Sequence, residues 1–144
     1  MKSSEICALI EQEYGTEYAC DWDNVGLLAG RSTKEVKKIL LSLDATDEVV
    51  RMAAEGGYDM LITHHPMLFS AIKRVTDQDM NGRRLLELIR NDISYYAMHT
   101  NYDTRGMADL AARLIGLTEC AVLEEVKDGE GIGRVGKLPH PMTL

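Results

Sequence analysis

Cysteine is scarce in this sequence, and its spacing excludes the usual disulfide frameworks. The three cysteines, Cys7, Cys20 and Cys120, are an odd number, lie far apart and form no C-x-x-C pair. Small secreted proteins normally carry an even set of cysteines at short spacings. We therefore expect a protein of a reducing compartment.

Positive charge and long apolar runs are also in short supply. Sixteen Lys and Arg residues face 23 Asp and Glu residues, which gives a formal net charge of -7. Nucleic acids and anionic membranes attract basic patches, so we expect neither as a partner. No apolar run approaches the roughly 20 residues of a spanning helix, and the first residues lack the apolar centre of a signal peptide. We expect a cytoplasmic protein.

The composition that remains is that of an ordinary globular domain. Hydrophobic residues make up 45% and charged residues 27% of the 144 positions. A chain of this length fits one domain and can bury a sizeable core. We therefore predict a single α/β domain over residues 1–144.

Short apolar strands alternate with amphipathic helical segments along the chain. The nearly continuous apolar run 39–43 is typical of a strand covered on both faces, and Asp44 or Thr46 can cap the helix that follows. This alternation predicts βαβ units, and hence an α/β fold with a parallel or mostly parallel sheet and flanking helices. The predicted strands are 27–29, 39–43, 58–63 and 93–98, and the predicted helices start near Ser3, near Thr46, around Leu85 and at Ala108.

Polar side chains follow the strands at the points where they end. His64 and His65 follow one strand, and His99 and Asp103 follow the next. Because ligands of open α/β sheets bind outside the carboxyl ends of the strands, we expect these groups to share one edge of the sheet. Asp44 also follows a strand, but its place ahead of a helix favours a capping role over metal ligation.

Imidazole and carboxylate groups together are typical ligands of zinc, iron, manganese or cobalt. Two adjacent histidines also suit a pair of ions about 3.5–4 Å apart, with Asp103 as the bridging carboxylate. His99 is then a further ligand or a nearby proton carrier. The residues predict a divalent-metal site at this edge.

One glycine pattern has to be set aside. Residues 131–136 match G-x-G-x-x-G, but a dinucleotide site needs a helix to begin at the third glycine. Pro139 and Pro141 follow closely and prevent a regular helix. We therefore predict a glycine-rich strand or turn there.

Four segments together make the sequence resemble a known family. They are Trp22-Asp23-Asn24-Val25-Gly26-Leu27, Leu43-Asp44-Ala45-Thr46, Thr63-His64-His65-Pro66 and His99-Thr100-Asn101-Tyr102-Asp103. In this order and spacing they resemble the NIF-three-like proteins, a dinuclear-metal family also called GTP cyclohydrolase 1 type 2 homologues. The resemblance spans nearly the whole chain.

The resemblance implies a function and a set of site residues. It makes His64, His65 and Asp103 metal ligands and places His99 in the cleft as the catalytic proton carrier, and Asp23 or Asn24 would contact the substrate. The implied cofactors are up to two divalent ions (Zn, Fe or Mn), and the implied assembly is a homo-oligomer, a hexamer in the family. The implied activity is metal-dependent hydrolysis of a small nucleotide-like substrate; the alternative is a non-catalytic metal-binding or scaffold protein.

The sequence departs from the family pattern at one point. Family members complete their site with a histidine and a glutamate four residues apart near the end of a longer chain, and no H-x-x-x-E pair occurs here. The resemblance therefore implies an N-terminal portion that lacks the C-terminal ligand segment. With three ligands instead of five, we expect weaker metal binding than in the family.

Overall fold

The computed structural model describes residues 1–141, which form two structural parts: a four-stranded sheet with helices and a two-stranded hairpin. The predicted α/β class is confirmed. Besides a one-turn helix at Thr16–Tyr18, the elements in chain order are α1 (Ser3–Glu13), β1 (Gly26–Ala29), β2 (Ile39–Ser42), α2 (Asp47–Glu55), β3 (Met60–Thr63), α3 (Met80–Arg90), β4 (Ser94–Ala97), α4 (Thr100–Tyr102), a π-helical turn (Asp103–Met107), α5 (Ala108–Ile115), β5 (Thr118–Lys127) and β6 (Glu130–Lys137).

The four-stranded sheet has the order β1-β4-β3-β2. Strands β2, β3 and β4 are parallel neighbours, and β1 runs antiparallel to β4. Thr63, the last residue of β3, lies opposite both Ser42 of β2 and Ala97 of β4. The three parallel strands therefore end at the same level, and the segments that follow them leave from one edge of the sheet.

Both faces of the central strands are covered. Helices α2 and α3 cover one face, where Leu61 and Tyr95 are fully buried, and α1 covers the other, where Met60 and Tyr96 are fully buried. Alternate residues of a strand point to opposite faces, so Tyr95 and Tyr96 each enter a separate apolar cluster. Burial on both faces fixes the position of the strands whose ends carry the polar residues.

The prediction for β2 is wrong in one respect. Its side chains alternate between exposed and half-buried, and Leu41 is 72% exposed. Among residues 1–141, β2 is one of the two outer strands of the sheet and pairs only with β3. A continuous apolar run therefore does not mean here that both faces of the strand are covered.

The glycine-rich segment 131–136 belongs to β6, which pairs with β5 as an antiparallel hairpin. A Cβ atom on Gly131 would lie 1.9 Å from the carbonyl oxygen of Glu124. The prediction of a glycine-rich strand is confirmed. The missing side chain of Gly131 allows the two strands to approach closely. Within the described residues, no helix is both long and apolar enough to cross a membrane.

Candidate metal centre

The end of the parallel sheet brings three histidines together. His64 and His65 follow β3, and His99 follows β4 two residues after Ala97. One ring nitrogen from each of the three lies within 4.8 Å of the others. The ring centroids are 5.0 Å apart for His64 and His65, 5.1 Å for His64 and His99, and 5.6 Å for His65 and His99. The strand-end histidines thus form one cluster.

Each ring has its Nδ1 atom beside an oxygen acceptor. The Nδ1 of His64 lies 3.0 Å from the Met98 carbonyl oxygen, and that of His65 lies 2.7 Å from Asp44 Oδ1. The Nδ1 of His99 lies 3.1 Å from both carboxylate oxygens of Asp23. An N–H that donates from Nδ1 leaves Nε2 unprotonated in the neutral ring, which is the form that binds a metal. The donor set therefore fits a divalent ion.

Asp44 has a different role from the one predicted for it. Helix α2 is capped by Thr46, whose side chain accepts a hydrogen bond from the backbone N–H of Val49. Asp44 instead contacts His65, and its side chain is about half exposed. Of the two caps that the sequence allowed, Thr46 is confirmed and Asp44 is wrong, because the chain continues past Asp44 for two residues before the helix begins. That extra length directs the Asp44 carboxylate towards the histidine cluster.

Asp103 lies beside the three-histidine cluster. Its Oδ1 atom is 3.5 Å from His64 Nε2, and its side chain is 23% exposed. It begins the π-helical turn between α4 and α5, and such turns occur frequently at functional sites. Its predicted role as a ligand or as a bridge between two ions stays a prediction.

Asp23 is the most enclosed acidic side chain of the site, with 0% of it exposed. Besides His99, it accepts hydrogen bonds from the backbone N–H of Thr100 at 3.0 Å and from the Thr100 hydroxyl at 2.5 Å. Burial by itself raises the pKa of Asp23, but the hydrogen bonds from Thr100 and His99 outweigh it and hold the pKa below its usual value. Asp23 is therefore an ionised carboxylate that orients His99.

Asn24 is also engaged within the protein, because its side-chain amide donates to the Leu68 carbonyl oxygen. Asp23 contacts His99, and the polar atoms of both Asp23 and Asn24 are bonded to protein groups. Substrate contact by these two residues stays a prediction.

Two cavities of about 360 Å³ each adjoin the cluster. The cavity beside His64 is mostly apolar and includes Tyr14, Tyr102 and Met107 in its lining, whereas the cavity beside His65 includes Asp44 and Arg84. The aromatic residues Tyr14 and Tyr102 pack edge to face, with centroids 5.0 Å apart. Sequence reasoning missed this lining, because Tyr14 lies far along the chain from Tyr102 and Met107 and shares no motif with them.

Comparison with known proteins identifies relatives of this chain. A family model described as Duf34/NIF3 (NGG1p interacting factor 3) matches residues 1–144. A Clostridium perfringens protein named GTP cyclohydrolase 1 type 2 homolog is 37% identical over 148 residues, covering 100% of this chain and 56% of the relative. A Streptomyces coelicolor protein of the same name is 33% identical, covering 98% of this chain and 52% of the relative. The chain thus spans about half the length of these relatives.

Solved structures show the same similarity. Reduced HcgD from Methanocaldococcus jannaschii is 37% identical with a TM-score of 0.86, covering 94% of this chain and 54% of HcgD. A Bacillus cereus protein related to NIF3 is 36% identical with a TM-score of 0.79, covering 86% of this chain and 35% of that protein.

Proposed function

The chain belongs to the Duf34/NIF3 family, and from this premise we propose that it binds a divalent metal ion and hydrolyses a small nucleotide-like substrate. The observation that carries the proposal is the convergence of His64, His65 and His99, each with Nδ1 held by an oxygen acceptor. A hydrogen bond donated from Nδ1 leaves Nε2 of a neutral ring available as a metal donor. The names of the relatives support the nucleotide-like substrate.

In this proposal the side chains have separate roles. His64, His65 and Asp103 hold the ion, which when bound supplies Lewis acidity at the edge of the sheet. His99 accepts a proton at Nε2, because its Nδ1–H is held by Asp23. Asp23 thereby keeps His99 in one tautomer and one orientation, as a carboxylate does for a histidine that acts as a general base.

The proposal also covers the assembly and location of the protein. We propose a cytoplasmic homo-oligomer whose partner is a small molecule. The net charge of -7 gives no basis for a nucleic-acid or membrane partner.

A second candidate function is metal storage or transfer without catalysis. It is favoured by the position of His99, whose ring nitrogen lies within 4.8 Å of those of His64 and His65. With Asp103 as a fourth donor, protein groups would fill a tetrahedral site, whereas catalytic sites keep one position open.

The variant His99→Ala separates the two candidates. Metal content and hydrolysis of nucleotides and phosphoesters are measured for the wild type, for His99→Ala and for the same samples after chelation. If His99 carries a proton, the variant keeps its metal and loses activity by about 100-fold or more. If His99 is a ligand of a storage site, the variant loses metal and the wild type shows no turnover.

Absence of metal-dependent turnover in the wild type would contradict the hydrolase proposal for this chain. A variant at His140, which is exposed and outside the cluster, serves as the control for the loss of one histidine. His140→Ala is expected to keep both metal and activity.

A further inference from the structure

Two large aromatic side chains lie exposed beside the histidine cluster. Trp22 is 59% exposed and Phe69 is 50% exposed. Their ring centroids are 5.8 Å apart and their planes are tilted by 47°. The Trp22 ring also lies 6.2 Å from the His99 ring. The only tryptophan and the only phenylalanine of the chain therefore meet at the edge of the candidate metal centre.

The backbone that carries these two rings is anchored on both sides. Asp23, next to Trp22, is bonded to His99 and Thr100. Asn24 donates to the carbonyl oxygen of Leu68, the neighbour of Phe69, and so ties the two loops together. Leu68 is itself 9% exposed and packs in the core. The rings are thus exposed although their attachment points are held in place.

Exposure of two adjacent aromatic rings leaves a large apolar surface in water that a ligand can cover. Aromatic rings prefer offset-stacked or edge-to-face partners, and the π-face of any base can stack on such a ring. The pair is not stacked on itself, and it adjoins His99. We propose that Trp22 and Phe69 form a platform that binds the planar aromatic ring of the substrate.

This proposal rests on the proposed function, in that the polar part of the substrate would extend from the platform towards the strand-end cluster. It commits to a small molecule with a planar ring, because the exposed rings border the candidate metal centre. If a second copy of the chain covered Trp22 instead, the Trp22 fluorescence would change with protein concentration in the absence of ligand.

The single tryptophan allows a direct test. The indole N–H resonance of Trp22 and its fluorescence are followed during titration with adenosine, with adenosine monophosphate and with ribose 5-phosphate, each with and without zinc. We expect both adenosine compounds to shift the indole resonance and quench the fluorescence, and we expect ribose 5-phosphate to do neither. Equal responses to ribose 5-phosphate and to adenosine monophosphate would overturn the proposal.

Variants locate the binding. Trp22→Leu and Phe69→Leu are expected to weaken adenosine monophosphate binding about 10-fold each, measured by equilibrium dialysis, whereas Trp22→Phe retains most of it. Leu114→Ala removes an even more exposed apolar side chain, 78% exposed and on α5, and is expected to change nothing. Undiminished binding in both leucine variants would overturn the proposal.

The same samples keep this proposal separate from the proposed function. Zinc content is expected to be equal in the wild type and in the two leucine variants, since neither ring is a ligand. A wild type that binds adenosine through Trp22 but holds no metal would support the platform and contradict the metal site. A wild type that holds metal but gives no adenosine response would contradict the platform alone.

Discussion

At the residue scale, the acceptors that orient the three histidines differ in burial. Asp23 is fully enclosed, whereas the Asp44 side chain is 51% exposed. Removal of a buried carboxylate leaves its hydrogen-bond donors unsatisfied, whereas water can take the place of an exposed carboxylate. We therefore expect the orientation of His99 to depend on Asp23 more strongly than that of His65 depends on Asp44.

The variant Asp23→Asn tests this dependence. An amide in place of the carboxylate turns a donor towards Thr100 or His99, so we expect the free energy of unfolding at neutral pH to fall by about 1–3 kcal/mol. Chemical denaturation measures the change. The neighbouring exposed residue gives the matched control Asp21→Asn, which is expected to stay within about 0.5 kcal/mol of the wild type.

The pH dependence of the stability difference between wild type and Asp23→Asn follows from the direction in which the pKa of Asp23 is shifted. The folded pKa of Asp23 lies below its ordinary value of 3.8, so its contribution is complete above that value and is lost as pH falls through the folded pKa. The stability difference between wild type and Asp23→Asn should therefore shrink in acid. A difference that stays constant down to about pH 2 would contradict this assignment.

The residue types of the site could be predicted from the sequence, but their partners could not. His64, His65 and His99 were expected at one edge because the two parallel strands that precede them end there. The contact of Asp44 with His65 was missed, because a carboxylate just ahead of a helix has the appearance of a cap. Only the length of the segment between Asp44 and α2 decides between the two roles, and that length cannot be read to a single residue.

At the scale of elements, the hairpin β5–β6 shows which local signals were available. Asp128 and Gly129 have φ angles of 53° and 79°, as expected in the two-residue type I′ turn that Asp-Gly favours. The hairpin was not predicted as a unit, although this dipeptide pointed to it. The core strands were predicted because apolar runs alternate there with helical segments, whereas the apolar run 120–123 of the mostly exposed β5 is flanked by glutamates.

Gly131→Ala is the sharpest test of the hairpin. The added methyl group meets the Glu124 carbonyl oxygen at 1.9 Å, so the two strands must separate. We expect faster hydrogen exchange across β5 and β6, by about 30-fold for a local loss of about 2 kcal/mol. Val135→Ala at an exposed position of the same strand is the control, and equal exchange in both variants would argue against the close approach of the strands.

At the scale of the whole molecule, the outer strand β2 and the residue that follows it leave apolar side chains exposed to water. Leu41 and Leu43 are 72% and 57% exposed. An outer strand with apolar side chains and unpaired backbone groups pairs readily with another chain. This surface is consistent with our prediction of a homo-oligomer. Burial of β2 depends on what lies beside it, which the apolar run itself does not encode.

The variant Leu41→Lys tests the role of this surface in assembly. A charge on the outer strand disfavours pairing, so we expect a smaller average mass in sedimentation velocity with unchanged secondary structure. Ile89→Lys on α3 replaces a residue that is 58% exposed elsewhere and serves as the control. A wild type that is monomeric at all concentrations would contradict the prediction.

The proposed function depends on a divalent metal ion held by His64 and His65 with Asp103, and its presence can be measured as metal stoichiometry. Elemental mass spectrometry is applied to protein purified without chelator or added metal, for the wild type, His64→Ala and His140→Ala. We predict a stoichiometric ion in the wild type and in His140→Ala, and its loss in His64→Ala, because one of the converging ring nitrogens is removed. Equal metal content in all three, or no metal in any of them, would overturn the proposed metal site.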